Sequence, residues 1–130
     1  MDHKNTIFTR QLSIAEYKSC SDEIMAILRN NKVFDVEVMF GWAWGNEYKD
    51  WTPFTVSLEN VLTEIDKAQK TGNGSFYEND TFLLLSDRDT EILFCHEHDI
   101  HLNYNETNKI VSDVLNAWEA EGIVHEKRTR

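Results

Sequence analysis

The segment Cys95-His96-Glu97-His98-Asp99-Ile100-His101 holds the densest concentration of metal-ligating and proton-transferring groups in the chain. On an extended strand successive side chains alternate, so His96 and His98 would share one face while Glu97, Asp99 and His101 take the other. Two imidazoles at that spacing can grip one divalent ion, zinc or another, with the remaining ligands supplied from elsewhere. Known patterns do not fit. A zincin needs its second histidine where Ile100 stands, and the metallo-β-lactamase pattern needs an aspartate there. A cupin would continue into further strands, whereas helical periodicity follows here. The competing reading makes His96 and His98 histidines at the rim of a core, on the same face as Ile92, Phe94, Ile100 and Leu102.

Nucleophilic chemistry has less support. Cys95 and His96 are neighbours, which on a strand point apart, and the surrounding acids would raise a thiol's pKa. There is no Gly-x-Ser-x-Gly elbow and no phosphate-cradling glycine loop. The expectation is a protein that is not an enzyme and has no cofactor, with a metal bound by His96, His98 and His101 as the alternative.

A second cluster is aromatic. Trp42, Trp44, Tyr48, Trp51 and Phe54 fall between Gly41 and Phe54, which holds three of the four tryptophans. They either extend the core beneath a loop or form a binding surface, since Trp and Tyr give large contact area at low entropic cost. A sugar or small-molecule site would use the same residues. Base stacking is disfavoured because no basic groove accompanies them.

Charge narrows the partners. The chain of 130 residues carries a formal net charge of −10, which disfavours a nucleic-acid backbone or an anionic membrane as partner. Its 41% hydrophobic and 12% aromatic content is too rich for a disordered acidic tail. The acidity is local. Glu78, Asp80, Asp87, Asp89, Glu91, Glu97 and Asp99 stand against Arg88 alone, while residues 125–130 form a basic tail with Lys127, Arg128 and Arg130. These seven acids either keep the surface solvated or meet a basic protein. No signal-peptide h-region follows Met1, no apolar run nears the ~18 residues of a membrane span, and Cys20 and Cys95 have no metal-type spacing. A cytoplasmic protein with reduced thiols is expected.

The elements that must position these groups follow from periodicity. Ser13 and Glu16 have capping-box spacing ahead of Ile14, Tyr17, Cys20, Ile24, Ile27 and Leu28, one helical stripe; Ser21 is the alternative start. Val33 to Phe40 alternates as a half-buried strand with Phe34, Val36, Val38 and Phe40 on one face. Ser57 can cap a helix burying Leu58, Val61, Leu62, Ile65 and Ala68, ended by the glycines near 72–74. Thr81 to Leu85 reads as a strand covered on both faces, and Ser86 to Thr90 as a hairpin turn into a strand from Glu91 to about Leu102. A last helix, capped by Asn105 or Thr107, buries Ile110, Val111, Val114, Leu115 and Trp118 and stops at Gly122. The fold class is α+β: one domain over residues 1–130, order α-β-α-β-β-α, with a small, mainly antiparallel sheet and a flexible N-terminus over about residues 1–10.

Gly41-Trp42-Ala43-Trp44-Gly45, the helix from Ser57, the glycine-rich turn, Glu78-Asn79-Asp80-Thr81-Phe82 and the stretch Phe94 to His101 together resemble small bacterial immunity proteins of contact-dependent growth inhibition and other polymorphic toxin systems. The likeness spans roughly residues 33–120. It implies a cytoplasmic antitoxin without catalytic activity, which neutralises the C-terminal domain of one cognate toxin, a basic nuclease for preference, by occluding its active site. The candidate contact residues are the seven acids above, with Trp42, Trp44, Tyr48 and Trp51 as anchors.

Overall fold

The computed structural model describes residues 3–41, 44, 51–71, 74–85 and 89–129. Within them lie β1 (Asn5–Thr9), α1 (Ile14–Asn30), β2 (Asp35–Phe40), β3 (Phe54–Ser57), a 3-10 turn (Leu58–Asn60), α2 (Val61–Thr71), β4 (Thr81–Leu84), β5 (Thr90–Phe94), β6 (Ile100–Tyr104), α3 (Lys109–Ala120) and β7 (His125–Thr129). The strands form one seven-stranded sheet in the order β3-β2-β4-β5-β6-β1-β7, with every pairing antiparallel. The α+β class therefore holds, but the sheet is large and the order is β-α-β-β-α-β-β-β-α-β.

The extra strands lie where apolar periodicity is weakest. The N-terminus, expected to be flexible, is β1, which turns Ile7 and Thr9 inward and pairs with both β6 and β7. The basic tail is β7, held by its ladder to β1, with residues 126–129 exposed. Charged side chains on an edge strand discourage pairing with another chain. β3 follows the aromatic segment, running from Phe54 to Ser57, where a helix cap was expected. The long strand expected from Glu91 to Leu102 is two strands joined by a turn.

One sheet face and the three helices share a single core. Val36, Val38, Phe40, Leu83, Leu85, Ile92, Phe94, Ile100, Leu102, Tyr104 and Ile7 belong to one buried cluster with Tyr17, Ile24 and Leu28 of α1, Val61, Ile65 and Ala68 of α2, and Val111, Val114 and Trp118 of α3. Full burial of such a side chain contributes about 1.5–3 kcal/mol. Tyr17 centres the aromatic part, edge-on to Phe76, Tyr77 and Phe94 at 5.2, 5.1 and 6.2 Å. Met39, Phe82, Leu93 and Phe8 point to the opposite face, outside this cluster.

Helix boundaries are set by local hydrogen bonds. Ser13 and Glu16 complete the capping box, and Arg10 pairs with Glu16 at 2.7 Å. That arginine, followed by the Ser13 amide, pulls the Glu16 carboxyl down to about 2. Asn108, rather than Asn105 or Thr107, caps α3. Both α1 and α3 end in a left-handed residue, Lys32 (φ 60°) and Gly122 (φ 70°), while Val33 and Ile123 donate back to Leu28 and Trp118. Ile14, Phe34 and Leu62, expected to be buried, are 66%, 72% and 48% exposed, because each sits at the edge of its stripe or beyond its strand. Ser57 makes no side-chain cap.

Glu23 of α1 and Glu121 at the end of α3 share a hydrogen bond when one of the two carboxyls holds a proton. That bond, then burial, then the charge of Glu121 raise the Glu23 carboxyl to about 7. A carboxyl that binds its proton more tightly when folded stabilises the protein at acid pH, and this contribution is lost as pH rises from the ordinary range through about 7. Glu121→Gln should therefore raise the melting temperature at about pH 8 and flatten its fall from about pH 5. Parallel pH profiles for variant and parent would show that the pair is not coupled.

Candidate functional site

The reactive segment is a turn and not a strand. Cys95 N–H donates to Asp99 O (2.9 Å) and His98 N–H to Cys95 O (3.1 Å), with His98 left-handed at φ 70°. The turn closes the β5–β6 hairpin, in which Phe94 opposes Ile100 and Leu93 opposes His101. Phe94 and Ile100 face the core, so by alternation Cys95, Asp99 and His101 belong to the opposite face, helix-free among the described residues. This corrects the parity expected of a continuous strand. His96 and His98 lie within the turn and share no strand face with Ile92 and Phe94.

Each histidine has its own partner. His96 Nδ1 lies 2.8 Å from Asp80 Oδ1, which also accepts from the His96 backbone N–H at 2.8 Å. His98 stacks on Tyr77 at 4.0 Å with the rings 6° from parallel, and its Nε2 is 3.3 Å from Glu78. His101 Nε2 lies 3.0 Å from Asp99 Oδ2. Among the described residues, no group of three potential ligands contains two of these histidines. The groups that do converge are Asp80, Cys95 and His96, and Cys95, Asp99 and His101, each with ligand atoms mutually within 4.8 Å.

Burial sets the electrostatics. It pushes the Cys95 thiol up to about 12, with Asp99 and Asp80 adding to the rise, so the sulfur is protonated at neutral pH and a poor nucleophile. Burial alone would also raise Asp99, but the hydrogen bond and charge of His101, joined by hydrogen bonds from the Cys95 thiol and the Asp99 amide, hold that carboxyl below its ordinary value.

The acids do not form one exposed face. Asp80 and Glu91 are buried, with Glu91 accepting from Asn103 at 2.7 Å. Glu78 and Glu97 are exposed beside the turn, and Asp99 is half-buried there. Asp89 is at the other end of β5, on a cleft of about 660 Å³ with Phe34, Asp35 and Glu106. Asp87 lies outside the described residues, as do Trp42 and Tyr48.

The two described tryptophans of the aromatic segment have opposite fates. Trp44 is fully buried, packed on Phe40 at 4.9 Å with its indole N–H on Asp80 O at 2.6 Å. A Cβ at Gly74 would stand 2.8 Å from its ring, so this packing requires glycine there. Trp51 is 56% exposed, with its ring 6.0 Å from that of Phe82 on the helix-free face. A Cβ at Gly41 would meet Phe82 at 2.8 Å and Trp51 at 3.1 Å.

Across the centre of the helix-free face the register aligns Met39, Phe82, Leu93, His101 and Phe8, all partly exposed. The adjacent row is Glu37, Leu84, Glu91, Asn103 and Thr6. Sequence reasoning missed the apolar row, because its members come from five strands, of which β1 was not expected and β5 and β6 were read as one. The alternation of β2 was the one available signal, since it leaves Met39 opposite Val38.

Asp80 joins β4 to the turn through its side chain, and to Gly41 and Trp44 through its carbonyl oxygen, which accepts from both. Asp80→Ala should cost about 1–3 kcal/mol in urea unfolding by leaving the His96 amide unmatched. An unchanged midpoint would mean that water replaces the carboxylate without loss.

No helix among the described residues is long and apolar enough to cross a membrane. No family model, no curated protein and no solved structure matches the chain.

Proposed function

We propose that this chain is a small, acidic, cytoplasmic immunity protein that neutralises the C-terminal domain of a cognate toxin, a basic nuclease, by occluding its active site. The observation that carries this reading is the helix-free sheet face, with its partly exposed row of Met39, Phe82, Leu93 and Phe8 and exposed Trp51 beside it. A sheet face with apolar side chains at its centre and charge at its margin has the make-up of a protein interface. Glu78 and Glu97 at one end, with a net charge of −10 overall, suit a cationic partner. The partner is a protein, with neither nucleic acid nor membrane bound directly. Among the described residues Trp51 is the anchor, since Trp44 is spent on the core.

The test reads the neighbouring frame for a large secreted protein with a toxin-like C-terminal domain and pairs this chain with that domain. Co-expression should restore growth that the domain alone arrests, and failure to protect removes the proposal. The association rate should fall about tenfold or more between low and high salt, and a salt-independent rate would exclude electrostatic steering. Trp51→Ala should weaken binding about tenfold or more while leaving the fold intact. Unchanged affinity would move the interface off this face.

A further inference from the structure

We propose that Cys95, Asp99 and His101 form a three-ligand site for a divalent transition metal, with zinc the best match, at the turn end of the helix-free face. This inference stands apart from the toxin-binding reading and needs no partner. The hairpin creates the arrangement. Cys95 and Asp99 are joined across the hairpin by the backbone bond that closes the turn, and His101 follows Asp99 by two residues on the same face. One ligand atom from each lies within 4.8 Å of the others, and the Asp99 oxygen and His101 nitrogen are already 3.0 Å apart. Tetrahedral zinc with bonds of about 2.0–2.3 Å sets its ligand atoms about 3.3–3.6 Å apart, so closing the triad needs shifts of about an ångström or less.

Asp99 Oδ1 supplies the second observation. It is buried without a hydrogen-bond partner, while Oδ2 is taken by His101. The Cys95 thiol is hydrogen-bonded to the same carboxylate, so a cation seated between sulfur and oxygen would take the place of the thiol proton that now joins them. Thiolate, imidazole and carboxylate together select zinc or a similar borderline ion over magnesium or calcium, which prefer oxygen alone. On binding, the Cys95 sulfur forms the metal bond and its proton passes to solvent. Three protein ligands leave the fourth position to water or an incoming group, as in exchangeable zinc sites. His96 lies 3.8 Å from the same sulfur but is engaged with Asp80, and is not a ligand in this assignment.

Cobalt(II), which reports thiolate ligation by a sulfur-to-metal charge-transfer band, is the probe. The tag-free protein should take up one equivalent with that band and a tetrahedral visible spectrum, and zinc should displace it. Cys95→Ser should abolish the charge-transfer band, and Cys20→Ser should keep it. His101→Ala and Asp99→Asn should each weaken cobalt binding about 100-fold or more, whereas His96→Gln should leave it within about threefold. His101 and Asp99 are partly exposed, so circular dichroism of these variants separates lost ligation from lost fold. No stoichiometric uptake, a cobalt spectrum without the thiolate band, or full affinity in His101→Ala would each overturn the site. Loss of binding in His96→Gln with His101→Ala unaffected would place the ion on Asp80, Cys95 and His96 instead.

Discussion

The turn from Cys95 to Asp99 is the constraint on which the reactive side of the molecule depends. It pairs Phe94 with Ile100 and so decides which side chains of β6 reach the core. A slip of one residue would bring His101 and Asn103 inward and expel Ile100 and Leu102, both fully buried. The cost of that exchange, several kcal/mol of lost burial, holds the register. It is paired with a backbone concession, the left-handed conformation of His98, which a non-glycine residue adopts only at some cost. The stacking of His98 on Tyr77 and the Asp80 bonds to His96 hold the turn from both flanks.

What the sequence made legible follows the strength of its periodicity. The three helices were readable because each carries an apolar stripe, and α1 announces its start by the Ser13 and Glu16 pair. β2 and β4 were readable for the same reason. β1 and β7 were not, because their stability comes from ladders to neighbours and only Ile7 and Thr9 carry a burial signal. No local pattern in residues 125–129 separates a paired edge strand from a solvated basic tail. Their partner is more than a hundred residues away, and only the assembled sheet supplies it.

The candidate site was legible in composition but not in geometry. The segment from Cys95 to His101 does gather the reactive groups, yet alternation along an assumed strand assigned His96 and His98 to the wrong neighbours. Acidity misled in another way. Asp80 and Glu91 count toward net charge, but each is buried and bonded within the protein, whereas Glu78 and Glu97 meet solvent. The tryptophans divide similarly, and what separates them is clearance. Gly74 leaves room for Trp44 inside, and Gly41 lets Trp51 lie over Phe82 outside.

The antiparallel pairing of β1 with β7 has a mechanical consequence. Asn5 stands beside Thr129 at one end of that ladder, and Thr9 beside His125 at the other. A pull that separated residues 5 and 129 would load these hydrogen bonds one at a time, beginning at Asn5 and Thr129, and would not shear them together. The basic edge strand would peel away at low force, with the six remaining strands and the core helices still packed. The sheet therefore resists tension very differently across its width: weakly at the seam where the early and late parts of the chain meet, strongly in the middle.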